Sequence, residues 1–526
     1  MPTSRPAASL FSIRVNAFGS GRRLAASALA GLLSLTTPAV QAQRVISGSL
    51  EAGTFGSSSG LTPFWLRSNQ YGIVPLASPT GTLRAGVAVD YDTVALFSRR
   101  ISLGGGISAV GNTGSKSTLL LPEAYVKARF RALELYVGRR REHFGLADSA
   151  LSTGSYAWSG NALPIPKIQL EIRQFQPLHF TRDFVAVRGS YAHGWMGGRF
   201  VQHTLLHQKS LYIRLGKPAS RLKLYGGVNH QVVWGGRSDE LVRIGLVKTP
   251  QLPATFQDYL SIISGLRASE TGVINSAAYT DFDLLNRVGN HLGSVDVAAE
   301  LTTASHSFYV YRENPYETGA LFYGTSLADG LNGFRIRSLK RGALVQQVVF
   351  EFLNTANQGG PEFIIDDPQR RGRVNYFNHA QFRDGWAYKG LGIGTPFINP
   401  ALDASNQPQY GIFTYNNRVQ VYHLGIMGNL FARPQAWLTG PVQFQGKLSY
   451  SRNAGTYLQP FRPIQNQFSG LVSLLIPVNM LGGLQLNTAL AIDRGALYTP
   501  TTGFYLGLRK TWQSGGPATS QTTRRM

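Results

Sequence analysis

Between Gly483 and Arg494, the residues Leu484, Leu486, Thr488, Leu490 and Ile492 alternate with Gln485, Asn487, Ala489, Ala491 and Asp493. A period of two gives an extended chain one apolar and one polar face, which predicts a β-strand. The same alternation runs through Val442 to Ser451 and through Ile168 to Arg173. It recurs, with turn residues between, near 44–56, 81–93, 100–111, 117–130, 132–140, 166–175, 184–196, 204–215 and 220–235. It continues near 290–304, 305–312, 333–340, 343–355, 415–425, 440–451, 466–477, 483–494 and 500–512. Strands of about ten residues, repeated about eighteen times, exceed what a soluble sandwich needs and suit a membrane barrel with apolar residues outward and polar residues inward. The predicted fold is therefore all-β, a transmembrane antiparallel β-barrel of about 18 strands. Leu484, Leu486, Leu490 and Ile492 should face lipid, and Gln485, Asn487 and Asp493 the lumen. Pro122 and Pro477 fall in or beside strands and are expected at bulges or at the rim.

Connection lengths point the same way. The long gaps 57–80, 141–165, 236–289, 313–332, 356–414 and 452–465 all follow odd-numbered strands, as expected if both termini lie in the periplasm and the long loops outside. The gap 426–439 is the exception. Within the longest insertions, Thr255 to Leu285 changes period: Phe256, Tyr259, Leu260 and Ile263 recur at helical spacing, and Asp281, Leu284 and Leu285 suggest a further turn. Folded caps or plugs over the barrel mouth are expected there.

Composition adds an address. Arg22 and Arg23 precede the apolar run Leu24 to Leu35, and Val40-Gln41-Ala42 presents small residues for cleavage, so 1–42 reads as a signal peptide. The barrel should occupy 43–512, leaving 513–526 as a polar tail. No later segment has the roughly 20 apolar residues of a transmembrane helix, which leaves the outer membrane of a Gram-negative bacterium as the expected location. With 59 Gly, 23 Tyr and 28 Phe, the chain is rich in residues for turns and aromatic girdles. It has no cysteine, so disulfides and thiolate sites are excluded.

The formal charge is +24, and removing the four arginines of the leader leaves +20. That balance favours anionic partners: lipopolysaccharide, outer-membrane lipid or acidic polysaccharide. Nucleic acid fits the charge but neither the address nor any motif. Ten scattered histidines form no metal-ligand pattern, so neither metal nor cofactor is expected. Asp366-Asp367 and Glu171 read as loop solvation and lumen polarity. No nucleophile and base are assembled, so no catalytic residue is assigned and an enzyme is not expected.

Two stretches crowd aromatic with polar residues: Thr62-Pro63-Phe64-Trp65-Leu66-Arg67-Ser68-Asn69-Gln70-Tyr71-Gly72, and Tyr376 through Gly390 followed by Ile393-Gly394-Thr395-Pro396-Phe397. Aromatic faces stack on sugar rings while Asn, Asp, His and Arg reach hydroxyls and carboxylates, so the mixture suits carbohydrate; the same aromatics would equally pack a loop onto the barrel mouth. Together with Asn290-His291-Leu292-Gly293-Ser294, and more weakly Tyr191-Ala192-His193-Gly194-Trp195, these blocks resemble the capsule-assembly Wzi family over essentially the whole mature chain. The resemblance implies a barrel of about eighteen strands that retains surface polysaccharide as a lectin. On the chemistry of the residues, Tyr376, Trp386 and Tyr388 would stack on sugars, while Arg383, Lys389 and Arg418 would attract acidic groups, helped by His379 and Asn416. Trp195 and Arg199 would extend the surface. The alternative is a porin or solute channel, distinguished by an open rather than a plugged lumen.

Overall fold

The computed structural model describes residues 44–96, 99–266, 279, 287–317, 323–364, 371–431, 435–479 and 483–514. The expected signal peptide, the tail beyond Ser514, the helical turn at Asp281, Leu284 and Leu285, and Asp366-Asp367 lie outside the described residues.

Twenty strands follow in order: β1 Arg44–Ser57, β2 Thr80–Leu96, β3 Arg99–Gly114, β4 Thr118–Phe130, β5 Leu133–Arg139, β6 Lys167–Pro177, β7 Val185–Trp195, β8 Leu205–Leu215, β9 Leu222–Trp234 and β10 Asn290–Thr302. Then come β11 His306–Glu317, β12 Gly330–Ser338, β13 Val345–Asn354, β14 Ala387–Tyr388, β15 Leu391–Gly392, β16 Val419–Leu430, β17 Val442–Gly455, β18 Pro460–Pro477, β19 Gln485–Gly495 and β20 Thr501–Ser514. Eighteen of them form one antiparallel sheet, and β14 and β15 make a separate hairpin. Each barrel strand pairs with its neighbour in the chain, β13 passing to β16, and β1 meets β20 from Ile46 opposite Ser514 to Ser57 opposite Gly503. That last pairing closes the barrel, so the eighteen-stranded sheet is left with no free edge.

The alternation sorts the side chains as expected. On β19 and β20, Leu490 lies opposite Phe504 and Leu486 opposite Leu508. Leu490, Phe504 and Leu508 point outward and stay about half exposed, as do Leu83 on β2, Val297 on β10 and Val472 on β18. The inward set is polar and bonded: Asn487 Nδ2 donates to Glu51 Oε1 at 3.0 Å, and Asp493 accepts from Ser469 Oγ at 2.6 Å. An apolar outer belt around a hydrogen-bonded polar interior is the arrangement a lipid solvent requires.

Pro122 sits where the β3–β4 register shifts between Ser108 and Val110, and Pro477 ends β18. Several expected boundaries move, among them the start of β18, which lies at Pro460 rather than at 466 and, with β17 running on to Gly455, shortens the expected long connection 452–465 to 456–459. The strand expected to stop at 425 continues to Leu430, so the gap at 426–439 contracts to 431–441. Gly425 and Gly428 interrupt its apolar alternation because the chain passes close by there: a Cβ on Gly425 would meet Leu151, and one on Gly428 would meet the Leu344 carbonyl. Likewise β11 runs on to Glu317 through a polar, proline-containing stretch that reads as loop. The long connections 58–79, 140–166, 235–289, 318–329 and 355–418 gather at one end, and both strand termini, Arg44 and Ser514, stand at the other.

Candidate functional site

The connection between β5 and β6 does not stay at the rim. It enters the barrel and crosses to the opposite wall. Glu313 on β11 accepts from the backbone N–H groups of Leu146 and Ala147, both at 2.9 Å, from Tyr156 N at 3.3 Å and from Ser155 Oγ at 2.8 Å. Glu351 on β13 accepts from Thr153 N at 2.6 Å and from Tyr311 Oη at 2.5 Å. The His423 ring on β16 meets Leu151 O at 2.6 Å, and Gln445 on β17 donates to Ala150 O at 3.1 Å. Glu313 and Glu351 are buried. A buried carboxylate is tolerated because charge-assisted bonds to N–H groups replace its hydration, and those same bonds fasten the loop. At the root of this loop, Arg140 binds Glu134 at 2.5 Å and also Glu171, while Lys167 binds Glu142 at 2.5 Å. Glu171 is thus one partner in a buried charge network.

Two more loops pack onto this plug. From the β1–β2 connection, Phe64 N donates to Asp493 at 2.8 Å, Trp65 Nε1 to Ser449 Oγ at 3.2 Å, and Tyr71 N to Gly160 O at 2.7 Å. The β13–β16 connection lies above. Phe377 N and Tyr156 Oη both donate to Glu317 Oε1, at 2.9 and 2.7 Å, and Trp386 Nε1 donates to Ala157 O at 2.7 Å. Tyr376 Oη donates to Asp329 Oδ2 at 2.9 Å, and the same carboxylate takes the N–H groups of Asn357 and Gln358. Tyr156, Trp158, Tyr376, Phe377, Trp386 and Phe413 share one apolar cluster that closes the mouth.

This packing decides where the expected sugar-binding residues stand. Tyr376 and Trp386 have no exposed surface, Tyr388 is buried, and Asn416 is buried between Asn399 and Asn453, so these side chains serve as core rather than offering a face to solvent. The half-buried His379 accepts at Nδ1 from the N–H groups of Gln381 and Phe382, each at 3.2 Å, and burial pushes its pKa down to about 4. Lys389 is exposed at a φ of 53°, and with Gly390 at 82° it turns the β14–β15 hairpin, whose left-handed pair matches the strand twist. Arg418 lies 3.9 Å over the Tyr457 ring and donates to Ala356 O, on a separate part of the rim.

Arg199 and Arg383 come together. The Asp384 carboxylate accepts from the N–H groups of Arg199, Phe200 and Val201 at 2.8 to 3.1 Å, tying the β7–β8 connection to the large loop. Arg199 lies 5.8 Å over Tyr410, and Arg383 lies 5.2 Å over Phe200, whose ring is 5.3 Å from Tyr410. Tyr410 is half exposed, so its ring is offered to solvent beside the Arg199 guanidinium, with Arg383 over the neighbouring Phe200 ring. The sequence reading missed Tyr410, although Gln407-Pro408-Gln409-Tyr410-Gly411 shows the same crowding of polar and aromatic residues.

Trp195 ends β7 and is half exposed on the outer wall, away from the loop cluster over the mouth. On that wall the helix Phe256–Ser264, capped by a reciprocal Thr255–Asp258 pair, lies against the barrel. Tyr259 Oη contacts Tyr191 Oη at 2.7 Å and His193 Nε2 at 3.0 Å, Lys209 Nζ donates to Ile263 O, and Ile262 packs with Val232 and Trp234. Phe256 and Leu260, at 75 % and 44 % exposure, face away from the wall.

An eighteen-stranded barrel with an apolar outer belt and a mouth closed by inserted, anchored loops is an outer-membrane β-barrel of the plugged type. The sequence model for the capsule assembly protein Wzi matches residues 69–403, and the chain belongs to that family. No curated protein sequence matches it. Among solved structures, it resembles Wzi of Escherichia coli, described as an outer-membrane, carbohydrate-binding β-barrel involved in group 1 capsule assembly. The TM-score is 0.50 and the identity 13%, over 94% of this chain and 89% of that one. It also resembles two Pseudomonas aeruginosa structures. OccK9 (OpdG) aligns at TM-score 0.45 and 10% identity over 90% of this chain and 98% of that one, and OpdQ at 0.42 and 8% over 90% and 100%.

Proposed function

We propose that this protein is an outer-membrane lectin of a Gram-negative bacterium, binding exported capsular or other surface polysaccharide and helping to attach or assemble it at the cell surface. The observation that carries the reading is the closed mouth topped by an exposed Tyr410 under Arg199, with Arg383 over the adjoining Phe200 ring. A solute channel needs an open lumen, and a loop bonded to the far wall weighs against one. Lys389 extends the surface on one side, and Arg418 with Tyr457 forms a second cationic and aromatic patch. Adjoining aromatic rings, each with a guanidinium group beside it, suit a sugar ring bearing a carboxylate. Tyr376, Trp386 and Tyr388 hold this surface in place from beneath. Binding accumulates from many weak contacts along a repeating polymer, and the role is binding rather than catalysis.

The test is retention of the producing cell's own surface polysaccharide by the purified protein, comparing wild type with an Arg199→Ala, Arg383→Ala, Tyr410→Ala triple variant. The triple variant should fold, keep its heat-resistant mobility on gels and lose about tenfold or more in affinity, equivalent to about 1.4 kcal/mol. Wild-type binding should also weaken as salt rises. Equal retention by the two proteins would remove this surface from the site, and no retention by either would remove the lectin reading.

A further inference from the structure

Below the plug, on the side of β1 to β4 and β19 to β20, the lumen is hollow. The cavity measures about 750 Å³, within the range of about 300–1,000 Å³ typical of ligand pockets. It exists because inward positions carry small residues, among them Ser47, Ser49, Gly86, Ala88, Gly106 and Ser108. Its roof is Gln70, Tyr71 and Arg141. Its lowest wall residues include Ser47 and Gln513, paired across β1 and β20 near the barrel end that carries both strand termini. The hollow therefore faces away from the long loops.

Its charges are only loosely matched. Three arginines, Arg84, Arg141 and Arg509, line it against two acids, Glu51 and Glu123. Glu51 is already engaged by Tyr505 Oη at 2.6 Å and Asn487 at 3.0 Å, and its nearest approach to Arg84 is 4.0 Å. Arg141 Nε stands 3.6 Å from Glu123. Among the described residues, Arg84 Nε, Arg141 Nε and Ser108 Oγ are buried without a hydrogen-bond partner. Arg141 lies 5.2 Å over Tyr71, so an aromatic face accompanies the cations, and Tyr125 adds a second ring.

We propose that this hollow is a second binding site, distinct from the mouth, which takes an acidic saccharide unit from the barrel end opposite the long loops. The arginines meet its carboxylate, the serines and amides meet its hydroxyls, and Tyr71 closes over a ring. With no native cysteine in the chain, the site can be read directly by labelling. Ser49→Cys is introduced into the full chain in the Arg199→Ala, Arg383→Ala, Tyr410→Ala background, which silences the mouth. The purified barrel is then treated with a water-soluble maleimide in the presence of trigalacturonate or neutral maltotriose.

Trigalacturonate at about ten times its dissociation constant should slow labelling about tenfold, and maltotriose should not. Adding Arg84→Gln and Arg509→Gln should abolish that protection, and Ser108→Phe, which fills the hollow without changing its charge, should abolish it independently. Absence of protection, equal protection by the neutral sugar, or protection that survives the arginine changes would each overturn the proposal. Failure of the mouth reading is scored separately, by polysaccharide retention in the wild-type protein.

Discussion

His379 shows how one side chain governs local order. Its Nδ1 accepts two backbone N–H bonds, and burial holds the ring neutral with a pKa of about 4, below the ordinary value of about 6.5. Because the unfolded segment takes up the proton first, the stabilisation is complete above the ordinary value, falls as pH drops towards about 4 and then levels off. The protection factors of Asn378 to Trp386, hydrogen exchange measured against the intrinsic rate at each pH, should fall as pH drops across that window, and His379→Asn should flatten the dependence. Protection factors independent of pH in the wild type would show that the ring does not hold this turn. Residue types were legible in the sequence, but burial was not: Tyr376 and Trp386 read as sugar platforms or as packing with equal ease. The Asp329 and Ala157 contacts, made to residues far away in the chain, fix them as core.

At the level of elements, periodicity recovered all eighteen barrel strands because lipid and lumen impose opposite demands on alternate residues. It failed at strand ends, where Gly425 and Gly428 admit a neighbouring backbone and where β11 carries acids for the plug. Helical spacing likewise placed Phe256–Ser264 but not its position on the outer wall, which depends on Tyr191, His193 and Lys209. With Phe256 and Leu260 turned away from the barrel, that helix should lie in the outer leaflet. A dye on Phe256→Cys, in a barrel reconstituted in nanodiscs, should be quenched by lipids spin-labelled near the headgroup. Quenching only by an aqueous agent would place the helix in water instead.

For the whole molecule, the plug is fastened by acids on one wall, and it should open when they are removed. Wild type should show little current in planar bilayers, whereas Glu313→Ala with Glu351→Ala leaves several buried N–H groups unpaired, each costing about 1–3 kcal/mol, and should produce frequent openings. A closed double variant would mean that apolar packing alone holds the loop. The fastening has a further consequence for how such a protein can change over generations. Glu313 and Glu351 grip mainly peptide N–H groups, at Leu146, Ala147, Thr153 and Tyr156, and every residue except proline supplies one. Descendants of this chain can therefore exchange many of the side chains on the plug and its overlying loops, acquiring a taste for a different coat, while the two glutamates go on holding whatever is inserted.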